Sequence, residues 1–267
     1  MAYETIRYTV EAGVGTILLN RPEKLNAINA HMMREINGAL DEAQADDTVR
    51  VLIIKGAGRA FSSGVDLGSK EPAPADTGIA RDRDRLHGNL SSMLRFWDFP
   101  KPVIAQVHGY CIAGGTMLTV FCDLTIVAED AVIRWPAVPI GGGYISPLWT
   151  WLVGPKKAKE MSFIAGSEMS GAEAHMWGWA NHAVPADKLE DMTLGIARRI
   201  AKTPSDLLRL KKLAINRVME IQGFRTAVMG GAEWDSLAHH SEGAETMRAK
   251  VRELGLKGAI AWFNEQG

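Results

Sequence analysis

Short apolar runs alternate along the chain with stretches of helical spacing, and that alternation predicts the elements. Val14–Leu19 (VGTILL) reads as a strand. Over residues 30–46, Met32, Met33, Ile36, Leu40 and Ala43 recur at helical intervals, the mark of a helix with one buried face. Asn29 stands where its N-cap is expected. Val51–Ile54 (VLII) is a further strand, followed by a Gly- and Ser-rich loop through residue 69 and a surface loop over residues 70–78. The charged run RDRDR at 81–85 opens a helix that ends before Pro100, and its alternating signs predict a solvated start. Val103–Val107 and Leu124–Val127 read as strands on either side of a helix over residues 112–121.

These strands are continuous apolar runs, as expected when both faces are buried and neighbours pair in parallel through helical crossovers. From residue 155 onward the pattern is almost wholly helical, punctuated by Pro155, Pro185 and Pro204. The helix over residues 204–221 sets Arg209, Lys211 and Lys212 beside Leu207, Leu208 and Leu213, which predicts a solvated basic face. With no internal repeat and no low-complexity linker, the simplest expectation is one α/β core with a helical C-terminal part.

Composition narrows the class. At 267 residues, 46% hydrophobic and 23% charged, the chain is expected to fold rather than stay disordered. Thirty Lys+Arg against thirty-one Asp+Glu leave a net charge of −1, so no basic field favours nucleic acid. Two cysteines, Cys111 and Cys122, are too few for a disulfide framework and fit a reducing compartment. The first eight residues carry Glu4 and Arg7 and no apolar h-region, and no run approaches the ~18 apolar residues of a membrane helix. A cytoplasmic protein off the membrane is expected. Eight Trp outnumber seven Phe and four Tyr, and Trp135, Trp149 and Trp151 fall close together.

Common chemistries drop out on their motifs. Gly56 and Gly58 begin a dinucleotide fingerprint that lacks its third glycine, and neither a Walker A lysine motif nor a Gly-x-Ser-x-Gly elbow is present. The histidines never take metal-ligand spacing; His239 and His240 are adjacent and face different sides of a helix. Two small-residue segments remain. AFSSGVDLG (Ala60–Gly68) follows a strand, and HGYCIAGGTM (His108–Met117) runs from a strand into a helix. Such loops let backbone N–H groups approach a ligand, and a helix N-terminus adds positive potential. Facing each other, they would set two N–H donors on one oxygen, an oxyanion hole. Gly114 and Gly115 would serve equally well to let a helix pack tightly on a strand.

The order of motifs distinguishes the two. NRPEKLNAIN (Asn20–Asn29), AFSSGVDL, KPVIAQVHGYCIAGG, CDLTIVAED (Cys122–Asp130), PAVPIGGG, GWANHAVP (Gly178–Pro185) and EWDSLAHHSEGAETMRA follow one another as in the crotonase, or enoyl-CoA hydratase/isomerase, superfamily. The resemblance spans essentially the whole chain. It implies a crotonase-like spiral of ββα repeats over residues 1–200 carrying the CoA site. Residues 201–267 then form a C-terminal helical region that packs homotrimers, often paired into hexamers. It also implies an acyl-CoA thioester as substrate, with no bound cofactor and no metal. The thioester carbonyl would sit between the N–H groups of Val65 and Gly114. Asp66, Leu67 and Gly68 would border the CoA and acyl chain, Ser63 would lie near the adenine, and Lys24 would contact a CoA phosphate or remain solvated. Asp66 is read as fixing its loop, and His108 as positional.

The resemblance has gaps. Family hydratases hold water between two glutamates, and counted onto this chain those positions are Met117 and Ala137, neither of which can move a proton. Phe263 matches an aromatic residue that covers a neighbouring subunit's CoA, whereas Gln266 stands at the apparent lysine position. Trp135 and Tyr144 flank the missing second glutamate and are read as lining the acyl pocket. Tyr144 is a weak candidate proton donor, a poor base at an ordinary pKa near ~10, while Trp149 and Trp151 are read as packing residues. The expectation is an enolate-stabilising acyl-CoA lyase, isomerase or hydrolase whose reaction is not ordinary hydration. The alternatives are a catalytically silent acyl-CoA binding or regulatory protein, and a hydratase drawing a carboxylate from elsewhere.

Overall fold

In the computed structural model the chain is described over residues 3–66 and 78–266. The elements run β1 (Ile6–Glu11), β2 (Val14–Leu19), α1 (Ala30–Ala45), β3 (Val51–Gly56), β4 (Ala60–Ser62), α2 (Ile79–Asp98), β5 (Val103–Val107), β6 (Tyr110–Ile112), α3 (Gly114–Val120), β7 (Leu124–Ala128) and β8 (Val132–Arg134). They continue with α4 (Ser146–Phe163), β9 (Glu168–Ser170), α5 (Gly171–Met176), β10 (His182–Val184), α6 (Leu189–Ala201), α7 (Ser205–Ile221), α8 (Phe224–His239) and α9 (Glu242–Asn264). Three turns repeat the same plan. A long strand enters a six-stranded sheet of order β1-β2-β3-β5-β7-β10, a short strand enters a four-stranded sheet of order β4-β6-β8-β9, and a helix follows. Within the larger sheet only β1 and β2 are antiparallel.

The described residues form two compact units. One comprises residues up to Asp66, Ser92–Arg134 and Met169–Gly223; the other comprises residues up to Ser91 from Gly78, Trp135–Glu168 and residues from Phe224 onward. In the first unit the expected apolar runs are buried: Leu52, Ile54, Val103, Ile104, Ile126 and Val127 are sealed from solvent. Met32, Ile36, Leu40 and Ala43 of α1 are also sealed. Burying each large aliphatic side chain contributes about 1.5–3 kcal/mol. Asn29 caps α1 by accepting the Met32 N–H.

Several expectations are corrected. The sequence pattern does not announce β1, because IRYTVE carries no continuous apolar run and only Ile6 is fully buried. The region read as a helix over 112–121 begins as β6, and α3 starts only at Gly114. After residue 155 the helices are interrupted by β9 and β10, three residues each and too short to give a period. RDRDR does not open on solvent, because Asp82 in its middle is fully buried. The basic face of α7 is not wholly solvated either. Lys212 is buried, donating to Asp123 Oδ2 at 2.8 Å and to the Phe96 carbonyl at 3.0 Å. Asp123 in turn accepts the Val103 N–H at 2.7 Å, so one ammonium ties α7 to the ends of α2 and of two sheet strands.

Replacing Lys212 with Ala is expected to leave the partly exposed Asp123 carboxylate without its cation and lower stability by about 2 kcal/mol at neutral pH. Burial already holds the Asp123 carboxyl above the ordinary carboxylate range. The folded state therefore binds that proton more readily than the unfolded chain, and acidification should narrow the deficit. Urea denaturation of both proteins across a pH series checks both statements.

Candidate active site

The two glycine-bearing loops meet within the first unit, and the segment before α1 holds one of them in place. Asn26, fully buried and in a left-handed conformation (φ 55°), donates from Nδ2 to the carbonyls of Ala57 and Ala60 at 2.8 Å each. Its Oδ1 accepts the Arg21 N–H at 2.9 Å. The Arg21 guanidinium donates to the Ala27 carbonyl at 2.7 Å and pairs with Asp66 Oδ2 at 2.9 Å. Backbone bonds complete the join: the Ile28 N–H donates to Gly64 O at 2.7 Å and the Asp66 N–H donates to Ile28 O at 2.9 Å. Asp66 is thus paired with a cation and faces a structural partner.

Beyond that support, Gly64 and Gly114 come close: a side chain on Gly64 would strike the Ile112 carbonyl, and one on Gly114 would crowd Val65. A Cβ on Gly114 would lie 3.2 Å from Val65 N, and one on Gly64 would lie 3.0 Å from Gly114 N and 2.8 Å from Ile112 O. Gly64 has φ +93°, a conformation L-residues rarely adopt. Ala113, just before α3, is itself strained at φ 46°. The Val65 and Gly114 N–H groups therefore stand side by side. Among the described residues neither donates a hydrogen bond to a backbone acceptor outside its own element. Gly114 is buried, whereas Val65 is well exposed. Two adjacent unused donors can bind one oxygen bearing developing negative charge.

Other residues singled out from the sequence fall as follows. Ser63 Oγ donates to the Lys24 carbonyl at 3.3 Å, and Lys24 itself is exposed at the end of a short 3-10 helix, so these two are brought together. His108 is bonded through Nε2 to the Gly58 carbonyl at 2.8 Å, a positional contact. Met117 is buried in α3, three residues past Gly114. Leu67 and Gly68 lie outside the described residues. In the second unit Trp135 is buried, its ring meeting Trp149 edge-on at 5.1 Å, and its N–H donates to Ser167 O at 2.8 Å. Ala137 is half-buried beside Gly166, whose N–H donates to Pro136 O at 2.9 Å. Tyr144 donates its hydroxyl to Leu86 O at 3.0 Å, and burial pushes its pKa up, which keeps it protonated through the neutral range. Phe263 is half-buried near the end of α9. Trp151 meets Phe224 edge-on at 5.9 Å, and Trp149 is sealed from solvent.

A family model described as enoyl-CoA hydratase/isomerase matches residues 9–249. The chain belongs to that family. EchA13 of Mycobacterium tuberculosis, a relative named as an enoyl-CoA hydratase, is 35% identical, the match covering 91% of this chain and 83% of that protein. Among solved structures, an enoyl-CoA hydratase/isomerase from Xanthobacter autotrophicus superposes with a TM-score of 0.92 at 38% identity, covering 100% of this chain and 99% of that one. An enoyl-CoA hydratase from Mycobacterium smegmatis superposes at 0.87 with 30% identity, covering 96% and 91%. The fold is therefore the crotonase fold, and the family acts on coenzyme A thioesters. No described helix is long and apolar enough to cross a membrane, and no group of three or more described His, Cys, Asp or Glu residues could hold a metal.

Sequence reasoning read Asn26 and Arg21 only as parts of a family motif. Their structural work depends on a left-handed Asn and on carbonyls more than thirty residues away, which no local spacing announces. Substituting Asn26 with Ala would leave the Ala57 and Ala60 carbonyls and the Arg21 N–H without partners, a loss of about 2–3 kcal/mol. Thermal unfolding of the variant measures it, and an unchanged midpoint would contradict the support assigned to this side chain.

Proposed function

We propose that the protein binds an acyl-CoA thioester with its carbonyl oxygen between the N–H groups of Val65 and Gly114 and stabilises the thioester enolate there. The observation that carries this reading is the side-by-side placement of those two unused donors in a member of an acyl-CoA family. Asp66 borders the ligand, Ser63 lies toward the adenine, and Lys24 meets a phosphate. Phe263 and the helices of residues 201–267 pack a homotrimer, alone or paired as a hexamer, with residues 1–200 as the catalytic core.

The reaction we assign is not ordinary hydration. Met117 and Ala137 occupy the two positions where the family's hydratases carry glutamates, and each missing acid–base group removes about 10²–10⁴ in rate. An enolate is common to carbon–carbon bond hydrolysis, decarboxylation and double-bond isomerisation, and those are the classes the remaining frame serves. Tyr144 is left out of the chemistry, because its hydroxyl is engaged by Leu86 and held in the neutral form. The apolar Met117 also supports a second reading, a catalytically silent acyl-CoA binding or regulatory protein. A third, a hydratase with a carboxylate drawn from elsewhere, would leave crotonyl-CoA hydration intact.

Calorimetry with acyl-CoAs of different chain length, beside a turnover panel, separates the three. Binding with robust product from a non-hydration reaction is expected, and crotonyl-CoA should keep its enoyl absorbance even at high enzyme concentration. Gly114→Pro removes one donor and should lower that turnover about 10²–10³-fold while free CoA still binds. Turnover and acyl-CoA binding both unchanged in this variant would overturn the reading, and binding without any product would favour the silent protein.

A further inference from the structure

A chain of buried charge crosses the second unit, and the chemistry proposed above makes no use of it. Asp82, in the first turn of α2, is sealed from solvent; its Oδ2 meets His239 Nδ1 at 2.6 Å and its Oδ1 accepts from Arg85 Nη2 at 2.5 Å. The other ring nitrogen of His239, Nε2, faces Asp235 Oδ2 at 3.5 Å, one turn earlier on α8. Asp235 is buried too, and its Oδ1 accepts the Gly142 N–H at 2.7 Å, with the Gly143 and Tyr144 N–H groups also directed at the carboxylate. Around this chain Tyr144 reaches Leu86 of α2, and Arg83 of α2 pairs with Glu233 of α8 at 3.1 Å. Burying two carboxylates and a histidine costs several kcal/mol unless each is paired. Burial indeed pushes the Asp235 carboxyl up, against the pull of His239 and the N–H groups.

The three glycines at 141–143 explain how the contact is made. A Cβ on Gly141 would fall 2.8 Å from Asp235 Oδ1, and one on Gly142 would fall 2.4 Å from the Ala238 Cβ. Bare main chain is needed to reach the carboxylate, and bare main chain has no side chain to pack. Between β8 and α4 the residues form no helix or strand. Trp135 and Pro136 are held at one end by Ser167 and Gly166. Asp235 holds the other end.

We propose that Asp235, set in place by His239 and Asp82, is a conformational clamp that holds Gly142–Tyr144 and thereby fixes the segment from Trp135 to Tyr144 within the second unit. Asp235→Asn keeps an oxygen for the Gly142 N–H, whereas Asp235→Ala removes every acceptor.

Hydrogen–deuterium exchange of the peptide containing residues 142–144 needs no ligand. Asp235→Ala should speed its exchange about tenfold or more, the factor that losing a hydrogen bond to a charged group implies, while Asp235→Asn should stay close to wild type. Asp82→Asn, which does not touch the loop, should speed exchange by a smaller factor and guards against a misfolded Ala variant. Unaltered exchange in Asp235→Ala would overturn the clamp.

Discussion

The buried side chain of Asn26 is the contact on which the paired N–H donors depend. Through three hydrogen bonds it joins the turn after β2 to the carbonyls on either side of the β3–β4 turn. Ser62 Oγ continues the join, donating to Asn26 O at 2.9 Å and accepting the Gly64 N–H at 3.1 Å. With that loop fixed, Gly64 lies so near Gly114 that a Cβ added to it would stand 3.0 Å from Gly114 N. Each of these polar groups would be costly if unpaired in the interior, so the network holds together or fails together.

Much of the fold was legible because its signals are local. The parallel strands β3, β5 and β7 announce themselves as unbroken apolar runs, and α1 carries both a clear period and a capping Asn29. β1, β9 and β10 were not legible, since an exposed edge strand and three-residue strands leave no run to read. Two charged stretches misled for a different reason. Asp82 and Lys212 sit in sequences that look solvated, yet each finds a partner more than eighty residues away, His239 for one and Asp123 for the other. Long-range pairing can reverse the burial that local charge predicts.

The glycine motifs illustrate a further limit. AFSSGVDL and CIAGG pointed to close main-chain approach, and in the first unit close approach is what those glycines permit. In the second unit the triplet Gly141–Gly143 has Asp235, Trp234 and Ala238 of α8 as its neighbours. A glycine says that something comes near without saying what. The tryptophan excess resolves in a similar way: Trp149 is core, Trp135 is buried against it, and Trp151 packs on Phe224.

The donors at Val65 and Gly114 belong to the main chain, and this has an evolutionary consequence under the function proposed. Nearly every amino acid supplies the same N–H, so ordinary drift erases side-chain chemistry at positions 117 and 137 without erasing the hold on the thioester oxygen. A lineage can then discard one reaction and acquire another while substrate capture persists throughout. The inherited part of such an enzyme is its backbone, and its repertoire is written in the side chains around it.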